Sequence, residues 1–105
     1  IGTGMYVSGR GTESFGTILP AVFEWQRKKL SKLLNVKLVG TNKKHSMQVM
    51  EKASSLSRLT GVNINIEVFP KERGIDVNNY KKVIQSLNGP SCAIIAVPDH
   101  LHYKY

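Results

Sequence analysis

The chain has 105 residues, room for one small domain or a piece of one, and its 41% hydrophobic content is enough for a core and argues against disorder. A formal charge of +8 points to an anionic ligand or a basic surface, with solvated lysines on outer helix faces the simpler account of most of it. The single cysteine, Cys92, excludes an internal disulfide and a cysteine-based zinc site, and the longest apolar run, Cys92 to Val97, is far too short to span a bilayer. A reduced, cytoplasmic setting fits, and no signal peptide is legible.

The first dozen residues, Ile1-Gly2-Thr3-Gly4-Met5-Tyr6-Val7-Ser8-Gly9-Arg10-Gly11-Thr12, read as the end of a strand running into a glycine-rich turn. In a dinucleotide-binding βαβ unit the first glycine permits a tight turn and the second lets backbone approach a pyrophosphate. Gly2 and Gly4 fit those roles, with Thr3 and Met5 beside them. The third glycine would fall at Val7, so a plain glycine turn is about as good a reading of the motif alone. A strand feeding such a turn needs about five residues. Only Ile1 precedes this one, which reads as a chain cut at its front.

Phe15 to Leu34 reads as a helix, with Leu19, Phe23, Leu30 and Leu33 near helical spacing and Val22 and Leu34 beside them. Pro20 belongs in a first turn, which starts the helix near Gly16–Leu19 and leaves a long loop after Gly4. Arg10 and Thr12 are the polar groups that this loop offers. Asn35 to Thr41 reads as a strand, and about His45 to Thr60 as a helix with Val49, Ala53, Leu56 and Leu59 inward and Gly61 as C-cap. Ile64 to Phe69 alternates as an edge strand does. Asp76 reads as an N-cap, followed by Tyr80, Val83, Ile84 and Leu87 on one helical face. Cys92 to Val97 reads as the most buried strand, apolar on both faces. Trp25, Tyr80 and Cys92 read as core.

Strands alternating with helices imply a Rossmann-type α/β domain: a parallel sheet with helices on both faces, here cut at both ends, and a ligand beyond the C-terminal strand ends. Those ends are Gly2–Gly4, Thr41–Lys44 and Pro98–His102. After the second strand, Thr41-Asn42-Lys43-Lys44-His45 contains no carboxylate to grip the adenosine ribose hydroxyls. Asn42 and Lys43 suit a 2′-phosphate better, which favours NADP over NAD; the alternative is that Asn42 only caps the helix and both lysines are solvated. The pair His100 and His102 would bind a metal on a strand, but a helix expected after Pro98-Asp99 spreads the two rings apart, and no metal site is assigned.

The segment Ile94-Ile95-Ala96-Val97-Pro98-Asp99-His100-Leu101-His102 resembles the fourth-strand motif of the glucose–fructose oxidoreductase, inositol dehydrogenase and MocA-type family, and follows a Gly-x-Gly turn and two βα units as it does there. The resemblance covers nearly all of residues 1–105 as a partial NAD(P)-binding domain. It implies that Val97 and Pro98 line the cofactor, that Asp99 and His102 begin the next helix, and that His102 lies toward the nicotinamide. It further implies a lysine in a later Glu-Lys-Pro segment and a second domain that supplies a histidine and the substrate pocket. Neither lies within these residues, so no catalytic residue is assigned to them. Val7 and the long loop from Met5 to Phe15 depart from the family pattern.

The expected function is therefore the cofactor-holding part of an NAD(P)-dependent oxidoreductase that moves hydride to or from a carbinol carbon of a sugar-like or polyol substrate. No nucleic acid or membrane partner is expected, and a homo-oligomer is left open. Three alternatives stand beside it: a non-redox module for nucleotides or phosphates, a methyltransferase, and a pseudoenzyme that keeps its cofactor. The first suits the charge but lacks aromatic residues interleaved with basic ones. The second would want an acidic residue where Thr41-Asn42-Lys43 stands.

Overall fold

A computed structural model describes every residue of the chain except Leu30 and Ser31. Its elements run α1 (Met5–Ser8), α2 (Ile18–Lys28), β1 (Asn35–Val39), α3 (Lys43–Thr60), β2 (Asn65–Phe69), α4 (Asn79–Gln85) and a 3₁₀ helix (Asp99–Lys104). The chain is mixed α/β, and β1 and β2 form a two-stranded parallel sheet pairing Val36 with Ile66 and Leu38 with Val68.

Parallel neighbours need a crossover, and α3 supplies it. Asn42 caps α3 by accepting the Lys44 N–H on its side-chain oxygen at 2.9 Å. Gly61 ends the helix in the left-handed region at φ 69°, where a β-carbon is disfavoured. The buried Ser46 hydroxyl donates to the Phe69 carbonyl at 2.6 Å, fastening the first turn of α3 to the end of β2. Val7, Leu19, Phe23, Leu38, Val49, Ala53 and Leu56 form the core between these elements.

Backbone hydrogen bonds continue past the two strands. Gly2 N–H donates to the Val39 carbonyl (2.7 Å), the Ile1 nitrogen donates to the Ile94 carbonyl (2.5 Å), and Ala96 N–H donates to the Ile1 carbonyl (2.8 Å). Ile1 and Gly2 thus lie between the end of β1 and Ile94–Ala96. The Cys92–Val97 segment nevertheless forms no regular strand, and Cys92, Ala93 and Ile94 are exposed rather than buried.

Two other expectations change. The first helix stops at Lys28 instead of Leu34 because buried Gln26 holds a turn there: its amide nitrogen donates to the Lys29 and Lys32 carbonyls and its oxygen accepts the Leu34 N–H. Leu33 is exposed beyond that turn, and Leu30 lies outside the described residues. Trp25 is 50% exposed. At 3.6 residues per turn it points about 200° away from buried Phe23. Asp76 is not the N-cap of α4; Asn78 is, and Asp76 accepts the Asn78 N–H in a turn just before it.

Candidate functional site

The glycine-rich turn is part helix and part loop. Met5–Ser8 makes one helical turn, and the chain then loops out and returns so that Thr17 N–H donates to the Tyr6 carbonyl at 2.7 Å. Gly9 (φ 70°) and Gly16 (φ 72°) cross at that neck; a β-carbon on Gly16 would lie 2.7 Å from the Gly9 nitrogen and the Met5 carbonyl oxygen. Gly2, at φ 125°, packs directly on the Ala96 backbone: a β-carbon there would stand 2.1 Å from the Ala96 carbonyl oxygen. Gly4 differs from all of these. Its φ is −82°, and a β-carbon on it would meet nothing within 4 Å.

The glycine turn, the end of β1 and Ala96–Pro98 surround an open cleft of about 360 Å³, within the range of small-molecule sites. Gly2, Thr3 and Gly4 contribute one wall, Val39–Thr41 a second and Ala96–Pro98 a third. Arg10, His45, Asn79, Tyr80 and Tyr105 also line it, and among the described residues no Asp or Glu side chain does. Thr3 is buried, and a β-carbon on Gly40 would come within 2.7 Å of its methyl group, so a side chain there would force Thr3 to shift. The Gly40 N–H donates to the Phe69 carbonyl, and its own carbonyl accepts from the Asn79 side-chain nitrogen at 2.7 Å. Gly40 therefore joins β2, α4 and the turn at the cleft floor.

Among the described residues, two buried polar atoms at this cleft have no hydrogen-bond partner: Arg10 Nη1 and Asn79 Oδ1. Asn79 is only 6% exposed, and its nitrogen is already committed to the Gly40 and Asp76 carbonyls, so its oxygen is left as an unused acceptor. His45, in the first turn of α3, is half-buried. Burial holds its pKa below the ordinary imidazole value, and the charges of Arg10 and Lys44 lower it further.

Of the residues expected at the site, Gly2, Thr3, Gly4, Val97 and Pro98 come together in the cleft. Met5 is exposed on α1 and does not line it. Asn42 and Lys43 border a separate shallow depression with Lys44, Gln48, Glu51 and Arg73, and the Asn42 side chain is occupied as helix cap. His102 lies outside the cleft lining, its Nε2 2.9 Å from the Val97 carbonyl oxygen. A carbonyl only accepts, so Nε2 carries the proton. Arg10, His45 and Asn79 were not among the expected site residues. The Arg10 signal was present in the sequence as a cation within a long loop; nothing in the sequence marked Asn79, because its role depends on the fold.

No family model, curated protein or solved structure matches this chain. Among the described residues no helix is long and apolar enough to cross a membrane, and no three His, Cys, Asp or Glu side chains gather as a metal site would require.

Proposed function

We propose that the chain is a Rossmann-type domain that holds a nicotinamide dinucleotide, NADP in preference to NAD, within an oxidoreductase acting on a carbinol carbon of a sugar-like or polyol substrate. The observation that carries this reading is the meeting of Gly2–Gly4, Val39–Thr41 and Ala96–Pro98 around one cleft. The bonds of Ile1 and Gly2 to Val39, Ile94 and Ala96 support it, since the residues leading into the glycine turn lie between the end of β1 and Ile94–Ala96, and a doubly wound order would set its first strand between its second and fourth.

The cleft also suits the group chemically. Gly4 presents backbone with open space above it, where a phosphate can approach. Arg10 Nη1 offers an unused donor and Asn79 Oδ1 an unused acceptor, which suit a phosphate and a ribose hydroxyl. Val97 and Pro98 offer an apolar wall toward the nicotinamide end, and Lys43 adds positive charge beyond Thr41. The bound cofactor supplies the hydride chemistry; these residues orient it and lower the cost of bringing its phosphates out of bulk water. Substrate and proton transfer belong to groups outside these residues.

The test is Gly4→Val, which adds a branched side chain to a residue that lines the cleft and whose β-carbon would meet nothing within 4 Å. Nicotinamide fluorescence titrations should show NADPH binding weakened at least about tenfold, with the thermal melt unchanged. Identical titration curves for both proteins would remove the turn from the site. Binding of single-stranded nucleic acid with no affinity for either dinucleotide would favour a phosphate-binding module instead.

A further inference from the structure

The fold ties down the loop that carries Arg10, while among the described residues Arg10 itself has no partner. It sits on the loop between α1 and α2, half-buried against the cleft, and among the described residues it makes neither an ion pair nor a side-chain hydrogen bond. The loop that carries it is fixed at several points. Thr12 Oγ1 donates to the Gly9 carbonyl, Ser14 N–H donates to Thr12 Oγ1, and Lys52 of α3 donates to the carbonyls of Thr12 and Ser14. A guanidinium nitrogen shut off from water without an acceptor is costly to the free protein. Among the described residues no Asp or Glu side chain lines the cleft and Arg10 Nη1 does not bond the unused Asn79 oxygen, so the oxygens of a ligand can supply its acceptor.

The surroundings identify the class of ligand. His45 lies close enough for the Arg10 charge to disfavour its protonation, so two basic groups from different elements converge. His45 belongs to the first turn of an 18-residue helix, whose positive dipole end adds to the same field. Thr41 lies just beyond β1, at the position from which a Rossmann-type domain contacts the adenosine ribose.

We infer that Arg10, with His45 beside it, forms a subsite for a phosphate monoester, and that its occupant is the 2′-phosphate of an NADP adenosine ribose. The assignment to NADP rests on the dinucleotide reading above; the phosphate subsite itself does not. Arg10 rather than Lys43 then sets the cofactor preference. Its fork can meet two phosphate oxygens from inside the cleft, whereas Lys43 acts from the neighbouring depression as a point charge.

The test is calorimetric titration of the protein with NADP⁺, NAD⁺, adenosine 2′-monophosphate, adenosine 5′-monophosphate and inorganic phosphate, for wild type, Arg10→Met, Arg10→Lys and Lys43→Met. Wild type should favour NADP⁺ over NAD⁺ at least about tenfold, and Arg10→Met should abolish that preference while leaving NAD⁺ affinity within about twofold. Arg10→Lys, which keeps the charge and loses the fork, should retain part of the preference, and Lys43→Met most of it. Should Arg10→Met not fold, an Arg10→Lys protein with the full wild-type preference overturns the inference. An undiminished preference in Arg10→Met overturns it too and leaves the dinucleotide reading standing. Equal weakening of both dinucleotides would put Arg10 on the pyrophosphate and overturn the 2′ assignment. If neither dinucleotide binds wild type, the assignment to NADP falls with the dinucleotide reading. In that case Arg10-dependent binding of adenosine 2′-monophosphate or inorganic phosphate upholds the subsite alone, and its absence overturns that as well.

Discussion

Lys52 Nζ donates to the Thr12 carbonyl at 2.7 Å, tying the middle of α3 to the loop that carries Arg10. The same ammonium donates to the Ser14 carbonyl at 2.7 Å and lies 5.5 Å from the centre of the Phe15 ring. One cation therefore satisfies two loop carbonyls and packs on an aromatic face, which restrains a loop otherwise rich in glycine and hydroxyl residues.

Replacing Lys52 by Met should keep the hydrophobic stem and lose those bonds. Because the site is partly solvated, the stability loss should be about 1 kcal/mol. Amide hydrogen exchange should quicken between Gly9 and Gly16 with the α3 core unchanged. A loop whose exchange does not change would show that its own Thr12 and Ser14 bonds suffice.

The glycines separate into two classes that thermal denaturation can distinguish. Gly2→Ala and Gly16→Ala put a β-carbon into backbone atoms at positive φ and should each cost more than about 2 kcal/mol. Gly4→Ala meets no neighbour at φ −82° and should stay within about 0.5 kcal/mol of wild type. Equal losses at Gly2 and Gly4 would contradict the packing of Gly2 on Ala96.

Asn79 should behave as a structural joint as well as a cleft group. Asn79→Ala leaves the Gly40 carbonyl without its side-chain donor in a buried setting and should cost about 1–3 kcal/mol in chemical denaturation. A neutral result would mean that water replaces the amide there.

His45 gives the site a pH dependence of known sign. Its folded pKa is held down by burial first, then by Arg10 and Lys44. Between that lowered value and the ordinary 6.5, the unfolded chain binds a proton that the folded chain does not. The contribution of His45 to stability therefore falls as pH drops through this window and is level above it. Arg10→Gln should raise the His45 pKa by removing one repulsion, and so should a bound phosphate, both readable from the imidazole proton shifts in NMR titration. A His45 pKa indifferent to Arg10→Gln would separate the two residues.

Local sequence determined what depends on neighbours along the chain. The Asn42 cap (read as the alternative to a phosphate contact), the Gly61 stop, Val49, Ala53 and Leu56 of the inward row and the two short strands around α3 are legible because capping and helical periodicity act within a few residues, whereas Leu59, expected in that row, is exposed. That Gly2–Gly4, Thr41 and Pro98 would share one cleft was legible from the alternation of elements, whereas Asn42, Lys43 and His102, expected beside them, lie outside it. The tertiary structure decided the rest. The apolar run from Cys92 to Val97 looked like a buried strand, yet burial is set by what covers its faces, and Cys92 and Ala93 are exposed. Gln26 ended a helix that periodicity carried to Leu34, because its amide reaches carbonyls beyond the helix. Arg10, His45 and Asn79 lie far apart in sequence and share a cleft only because the loop folds back onto α3 and α4 packs against Gly40. Such a cluster has no local signature, since the contacts that create it form only when the chain closes on itself.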